Sequence, residues 1–393
     1  MKLIRIIAVA AVLTAASCAK DGQPDQKAQA RQQWNAARAG VMYGLAQDQF
    51  KNGNFPAARQ TVGDALKLDP DNAQLHVLSA RIEIEQGNIE SAQRSLVRAG
   101  ELKPELAETD YLMGVIHQRW QRPNEALAAY RAAVTKSPGE LAYLLAESEM
   151  LVQIGRTEEA IHLLITKVTY FENSAAIRDA VGQLLTRQKR HAEAVPFFRQ
   201  ACILASDDPA MREHLALALY RSELHREAQE HLARLTRENP DARADLWLAL
   251  GECQMSLGRA VEARASFESA SRIDPMLAPA WLGIAKAAMT LNDHRRAELS
   301  IRKAISTGDL AFESQLMLGY LRLQQSRAGE ALDAFRKASL LRPDDTTAIC
   351  MVGFAHEQLG QREQAMEHYA RALRLSPRDP LASRLLSAVG TND

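Results

Sequence analysis

Several things are scarce in this chain, and each scarcity removes a class of function. Aromatic residues make up only 5% of its 393 residues, while alanine and leucine are abundant, as in helix-rich sequences. Neither charge sign is in excess: 48 basic side chains balance 48 acidic ones. A basic face supplies most of the affinity for nucleic acid, so the balance removes the electrostatic reason to expect it as a partner. Cysteine occurs four times, with no Cys-x-x-Cys spacing for zinc or redox work. There is no glycine-rich phosphate loop, no Gly-x-Ser-x-Gly elbow and no His-Glu-x-x-His. His356-Glu357 begins the last of these, but Gly360 stands where its second histidine is required. His225 and His231 are six apart and do not share a helical face. The ten histidines are expected in turns and on helix surfaces. Acidic pairs such as Asp207-Asp208 and Asp344-Asp345 lie beside prolines at helix starts, where carboxylates cap the helix and complement its dipole. No catalytic residue, cofactor or metal ligand is assigned.

What the chain does have is a period. Ala58, Ala92, Ala126, Ala160, Ala194 and Ala228 recur every 34 residues; after one inserted residue, Ala263, Ala297, Ala331 and Ala365 resume the step. Ten registers fit. Prolines keep the same time at 70, 104, 138, 240, 275, 343 and 377. Each register shows two amphipathic segments of about a dozen residues, with apolar positions three and four apart. The cleanest copy reads Trp247-x-x-Leu250-Gly251, then Ala263, Phe267, Ala270 and Pro275.

These residues resemble the tetratricopeptide repeat. The resemblance covers about 340 residues and implies an all-α solenoid: antiparallel helix pairs stacked into a right-handed superhelix with a concave inner face. Small residues in helix A (Gly44 and Ala46, Ala80, Gly114, Gly182, Ala216, Gly251, Ala285, Gly319, Gly353) and the alanines opening helix B suit close helix crossings. Phe198, Phe267, Phe335 and Tyr369 are the large knobs facing those holes. Gly53, Gly87, Gly155, Gly258 and Gly360 are expected to end helix A in a left-handed conformation. The fourth and fifth repeats depart most from the pattern, with Lys167, Glu172 and Ser206 at signature places, so Thr166 to Ser174 is a candidate joint.

The N-terminus reads differently. Lys2 and Arg5 precede an apolar run from Ile6 to Ala16, then Ser17 and Cys18. Eleven residues are too few to span about 30 Å of bilayer but suit a signal-peptide core. The small residues before Cys18 resemble a bacterial lipobox, although Ala15 occupies the usual leucine place; an ordinary secretory signal is the other reading. Lipidation at Cys18, followed by Ala19 rather than Asp, implies an outer-membrane lipoprotein facing the periplasm, with a soluble periplasmic or secreted protein as the alternative. The expected organisation is a signal peptide at 1–17, a lipidated cysteine and tether at 18–38, ten repeats at 39–379, and a capping helix and tail at 380–393. Cys202, Cys253 and Cys350 lie in non-adjacent repeats, too far apart to bridge.

In this family, helix A supplies the inner face, at one, four and five places beyond the small residue and three before it. The middle of the array offers charges there: Arg119, Arg187 and Arg221, with Glu149, Asp179 and Glu213. The C-terminal repeats offer Leu248, Met255, Leu282, Met289, Leu316, Tyr320, Leu323 and Phe354. An apolar wall of this kind fits an extended peptide or an amphipathic helix. The Lys/Asn clamp for terminal carboxylates is missing, since Tyr43, Gln47, Val77 and Arg81 hold the first groove positions. Outside the repeats, about 20 residues of tether and a 14-residue tail cannot bury a catalytic core. The expected function is therefore a non-enzymatic protein-interaction scaffold of the cell envelope, resembling pilotin and pilus-assembly lipoproteins. An exopolysaccharide-export scaffold is the alternative, and a regulatory subunit of an envelope enzyme a third reading. Contact with the membrane is expected only through the lipid anchor.

Overall fold

The computed structural model describes residues 24–390, and these form twenty-one helices with no strand. Ten helix pairs follow the period: α1 (Pro24–Lys51) with α2 (Phe55–Leu68), α3 (Ala73–Glu85) with α4 (Ile89–Leu102), α5 (Ala107–Arg119) with α6 (Pro123–Lys136), and α7 (Leu141–Gln153) with α8 (Thr157–Lys167). Then come α9 (Ala175–Arg187) with α10 (His191–Leu204), α11 (Pro209–Arg221) with α12 (His225–Glu238), and α13 (Ala244–Ser256) with α14 (Ala260–Ile273). The last pairs are α15 (Ala278–Thr290) with α16 (His294–Thr307), α17 (Ala311–Gln324) with α18 (Ala328–Leu341), and α19 (Thr346–Gln358) with α20 (Arg362–Leu375). A final helix, α21 (Pro380–Gly390), has no partner helix B. The chain divides between Phe171 and Glu172 into two compact units, inside the segment Thr166–Ser174 where the register is loosest. The first contains α1–α8 and the second α9–α21.

Each pair is held by one large side chain of helix B seated on one small residue of helix A. In five repeats the large residue is aromatic (Tyr130, Phe198, Phe267, Phe335, Tyr369) and the small one is glycine (114, 182, 251, 319, 353). A Cβ added to Gly251 would lie 2.5 Å from the Phe267 ring, and one on Gly319 would lie 2.3 Å from Phe335. In the other five repeats the large residue is aliphatic: Val62, Leu96, Leu164, Leu232 or Ile301. There the small residue is Ala46, Ala80, Ser148, Ala216 or Ala285, all buried. Knob and hole thus vary together to keep the crossing filled, because a packed interior tolerates neither a void nor an overlap. Burial of each knob contributes about 1.5–3 kcal/mol.

Helix A ends the same way in all ten repeats. Gly53, Gly87, Gly155, Gly258 and Gly360 have positive φ as expected, and so do Gln121, Lys189, Glu223, Asn292 and Ser326 at the equivalent places. The tight turn therefore imposes the left-handed conformation whatever the residue, and side chains other than glycine bear its strain. Helix B ends two residues before the timed proline, as at Leu68 and Pro70 or Ile273 and Pro275. Asp208 and Asp345 cap α11 and α19 by accepting from the backbone N–H groups of Ala210 and Ala348.

Residues 24–38, expected as tether, are helical and continuous with α1. Their Gln, Ala, Arg and Lys residues are strong helix formers, and Pro24 occupies the first turn, where its missing N–H costs nothing. Cys18 and the apolar run before it lie outside the described residues. At the other end, Leu381, Leu385 and Leu386 of α21 pack against the buried cluster containing Phe335 and Tyr369. Asp379 caps α21 through the N–H groups of Leu381 and Ala382. Cys253 and Cys350 are buried free thiols, and burial pushes them up to about 12 and about 11. Cys202 is also free. One histidine departs from the surface expectation: His356 is buried and its ring stacks on His368 at 5.5 Å.

Candidate binding surface on the helix A faces

In the second unit, helices α11, α13, α15 and α17 place successive helix A side chains around a cavity of about 690 Å³. Met255, Leu282, Phe267 and Met317 give it an apolar wall, and Arg221, Glu223, Glu252 and Lys286 surround that wall with charge. Tyr220 donates its hydroxyl hydrogen to Glu252, and burial followed by this carboxylate pushes the phenol well above its ordinary value. His191 and His225, the first residues of α10 and α12, close one side. Burial and then the nearby Arg221 hold His191 below the usual imidazole value.

An adjoining cleft of about 280 Å³ brings Arg187 and Arg221 beside His214 and Phe198. Here the acidic groups are engaged. Asp179 lies 2.7 Å from His214 Nδ1 and accepts from Gln183 at 2.6 Å, and Glu213 accepts from Arg243 at 2.7 Å. The hydrogen bond to Asp179 raises the His214 imidazole above its ordinary value. Arg187, Arg221 and Lys286 form no ion pair among the described residues. The cavity and cleft therefore present apolar surface together with uncommitted cations.

The predicted wall is only partly assembled. Met255, Leu282 and Arg221 meet in the cavity, and Arg187 joins Arg221 in the cleft. Leu248 packs on the cluster of Ala263, Phe267 and Ile284, and Met289 on that of Ala285 and Ile301. Leu316, Leu323 and Phe354 pack on the cluster around Phe335 and Tyr369. Tyr320 is 38% exposed and sets its ring edge against Phe335 at 5.4 Å. Inner-face positions in a stacked array also touch the next helix A, so most of these apolar groups are shared between wall and core. Tyr220, Glu252 and Lys286 were missed, yet the same register reaches them: Glu252 and Lys286 stand one place, and Tyr220 four places, beyond the small residue. No helix A register finds His191 and His225, because they sit on helix B.

Arg119 belongs to the first unit, in a separate cleft of about 310 Å³ with Phe50, Arg81, Glu108, Tyr111 and Tyr143. Its groups satisfy one another. Arg119 donates to the Ile84 carbonyl at 2.6 Å, Arg81 pairs with Glu108 at 3.3 Å and lies over Phe50, and Tyr111 stacks on Tyr143 at 4.7 Å.

Among the described residues no cluster of His, Cys, Asp and Glu has the arrangement of a metal site, and no helix is long and apolar enough to cross a membrane. Fold and helix geometry together define a helical-repeat protein whose helix A side chains line the cavity and clefts. The chain belongs to the tetratricopeptide repeat family: models of that repeat match residues 49–114, 111–169, 152–209, 214–276, 282–345 and 346–379. It is 21% identical over 350 residues to the BBSome complex member BBS4 homolog of Drosophila melanogaster, covering 82% of this chain and 69% of that protein. It is 24% identical over 168 residues to the type IV pilus assembly protein PilF of Pseudomonas aeruginosa, covering 41% of this chain and 67% of that one. It is 22% identical over 321 residues to the putative cellulose synthase operon protein C of Escherichia coli O157:H7, covering 79% of this chain but only 24% of the relative.

Proposed function

We infer that this chain is a non-catalytic scaffold that takes an extended or helical segment of a protein partner on the helix A faces of its second unit. The observation carrying this is the cavity between α11 and α17, where Met255, Leu282 and Met317 form an apolar wall beside the uncommitted Arg221 and Lys286. Repeat arrays use such faces for binding, and a partner segment buries the wall while its acidic or carbonyl groups meet the cations. We further propose that Cys18 is acylated, which places the array at the periplasmic face of the outer membrane, and that its partners belong to a pilus or secretin complex. The likeness to a pilus assembly protein supports this reading. Export of an exopolysaccharide is the second reading, favoured by the likeness to a cellulose synthase operon protein over most of this chain.

The test replaces Leu282 and Met255 by glutamate in the host bacterium and follows assembly of both machines. Loss of pilus or secretin multimers with normal polysaccharide export supports the first reading, and the reverse supports the second. Normal assembly of both, with the variant folded and abundant, contradicts the scaffold role of this face. Cys18→Ser is expected to release the protein from membranes; continued membrane partition contradicts the anchor.

A further inference from the structure

The first helix carries a seam that the repeat does not use. On α1, Lys27, Arg31, Trp34, Arg38, Val41, Leu45 and Asp48 alternate at spacings of four and three, and all seven are exposed. Trp34 is 65%, Val41 76% and Leu45 53% exposed. A neighbouring face of the helix is occupied: Ala39, Met42, Tyr43 and Ala46 pack within the first unit. Solenoid ends need a polar outer face, and here three large apolar side chains stand on one line of the terminal helix instead. The spacing is that of a coiled-coil seam.

The geometry points to a second copy of this chain as the occupant, paired antiparallel along α1. Antiparallel coiled coils pair the two seam positions with each other. With α1 doubled about its middle, Trp34 meets Leu45 of the second copy and Arg38 meets Val41. Arg31 meets Asp48, so the charge at one end of the seam is complementary to the charge at the other. Parallel pairing would instead set Arg31 on Arg31 and Arg38 on Arg38, which is unfavourable. The apolar line is one residue wide, too narrow for a helix lying in a lipid surface, which needs a broad apolar face. Residues 26–38 are exposed apart from the half-buried Asn35, leaving that length of α1 open to the second copy. Gly44, which flanks the seam, has open space where a Cβ would stand, so a second backbone can approach closely there. Arg38 in mid-seam weakens the pair and fixes its register, as polar seam residues do.

Sedimentation velocity over a concentration series, on the full chain carrying Cys18→Ser, tests this. The expected result is a reversible dimer. Trp34→Ala and Asp48→Arg should each raise its dissociation constant about tenfold or more, and Arg38→Leu should lower it. Adding Arg31→Glu to Asp48→Arg should restore association, and unchanged helical circular dichroism shows that each variant is folded. A monomer at every concentration, or a dimer indifferent to these substitutions, overturns the proposal. So does a monomer that co-sediments with phosphatidylglycerol vesicles through Trp34, which would make the seam a lipid contact.

Discussion

The two units are made from one repeat, yet their helix A faces are finished differently. In the first unit the cleft closes on itself: Arg81 pairs with Glu108, Arg119 with the Ile84 carbonyl, and Tyr111 with Tyr143. In the second unit the acidic groups Asp179, Glu213 and Glu252 have partners within the protein, while the side chains of Arg187, Arg221 and Lys286 form no ion pair among the described residues. The packing differs as well. One repeat in four uses an aromatic knob in the first unit (Tyr130), against four in six in the second. The difference teaches that a shared helix frame leaves the inner face free to become either core-like or open. Openness is a matter of which polar groups remain uncommitted.

The largest effect is expected where an aromatic knob meets glycine. Gly251→Ala drives a methyl into the Phe267 ring and should cost about 1–3 kcal/mol in denaturant unfolding. Phe267→Leu should recover most of that loss in the double variant, because it recreates the Ala–Leu pairing of Ala216 with Leu232. The converse change in the first unit, Leu96→Phe over Ala80, should be destabilising on its own and relieved by Ala80→Gly. If neither rescue works, knob and hole do not vary as a pair.

A middle-sized effect is expected at the helix A ends. Lys189→Gly removes a side chain from a residue at φ 60° and should stabilise the second unit by about 1 kcal/mol. In the first unit, Gly155→Ala at φ 81° should destabilise by a similar amount.

The ion pairs set smaller, pH-dependent effects in the second unit. Glu298 is held down to about 2 by Arg322 first, a buried guanidinium. Its contribution is complete above the ordinary carboxylate value of 4.5 and fades as pH falls towards about 2. His214 behaves oppositely. Because Asp179 raises it above the ordinary value of 6.5, its contribution is complete below that pH and is lost as pH rises through the raised value. Stability measured from pH 6 to 9 should decline for the native chain and lose that component in His214→Asn; an unchanged profile in the variant removes the pair from the account.

Much of this architecture was legible in the residues. The timed alanines, prolines and glycines mark helix pairs because each does a local physical job: fitting a crossing, stopping a helix, or permitting a left-handed turn. Gln121, Lys189, Glu223, Asn292 and Ser326 share that turn without advertising it, since tertiary packing overrides their preference. Of the segment 18–38 assigned to the lipidated cysteine and tether, the part from Pro24 onward is helical, since a polar composition describes an exposed helix as well as a coil. The inner face was half legible. Register arithmetic reaches Met255, Leu282, Glu252 and Lys286, but it does not say that Leu316, Leu323 and Phe354 serve the core, nor that Arg119 is already satisfied by a backbone carbonyl.

The contrast between the two faces is tested most directly by photo-crosslinking in living cells, with the reactive side chain placed at Lys286 in one variant and at Arg119 in another. A discrete protein adduct from position 286, with none from position 119, is the predicted result. An adduct from 119 alone, or from neither position in a folded chain, would contradict it.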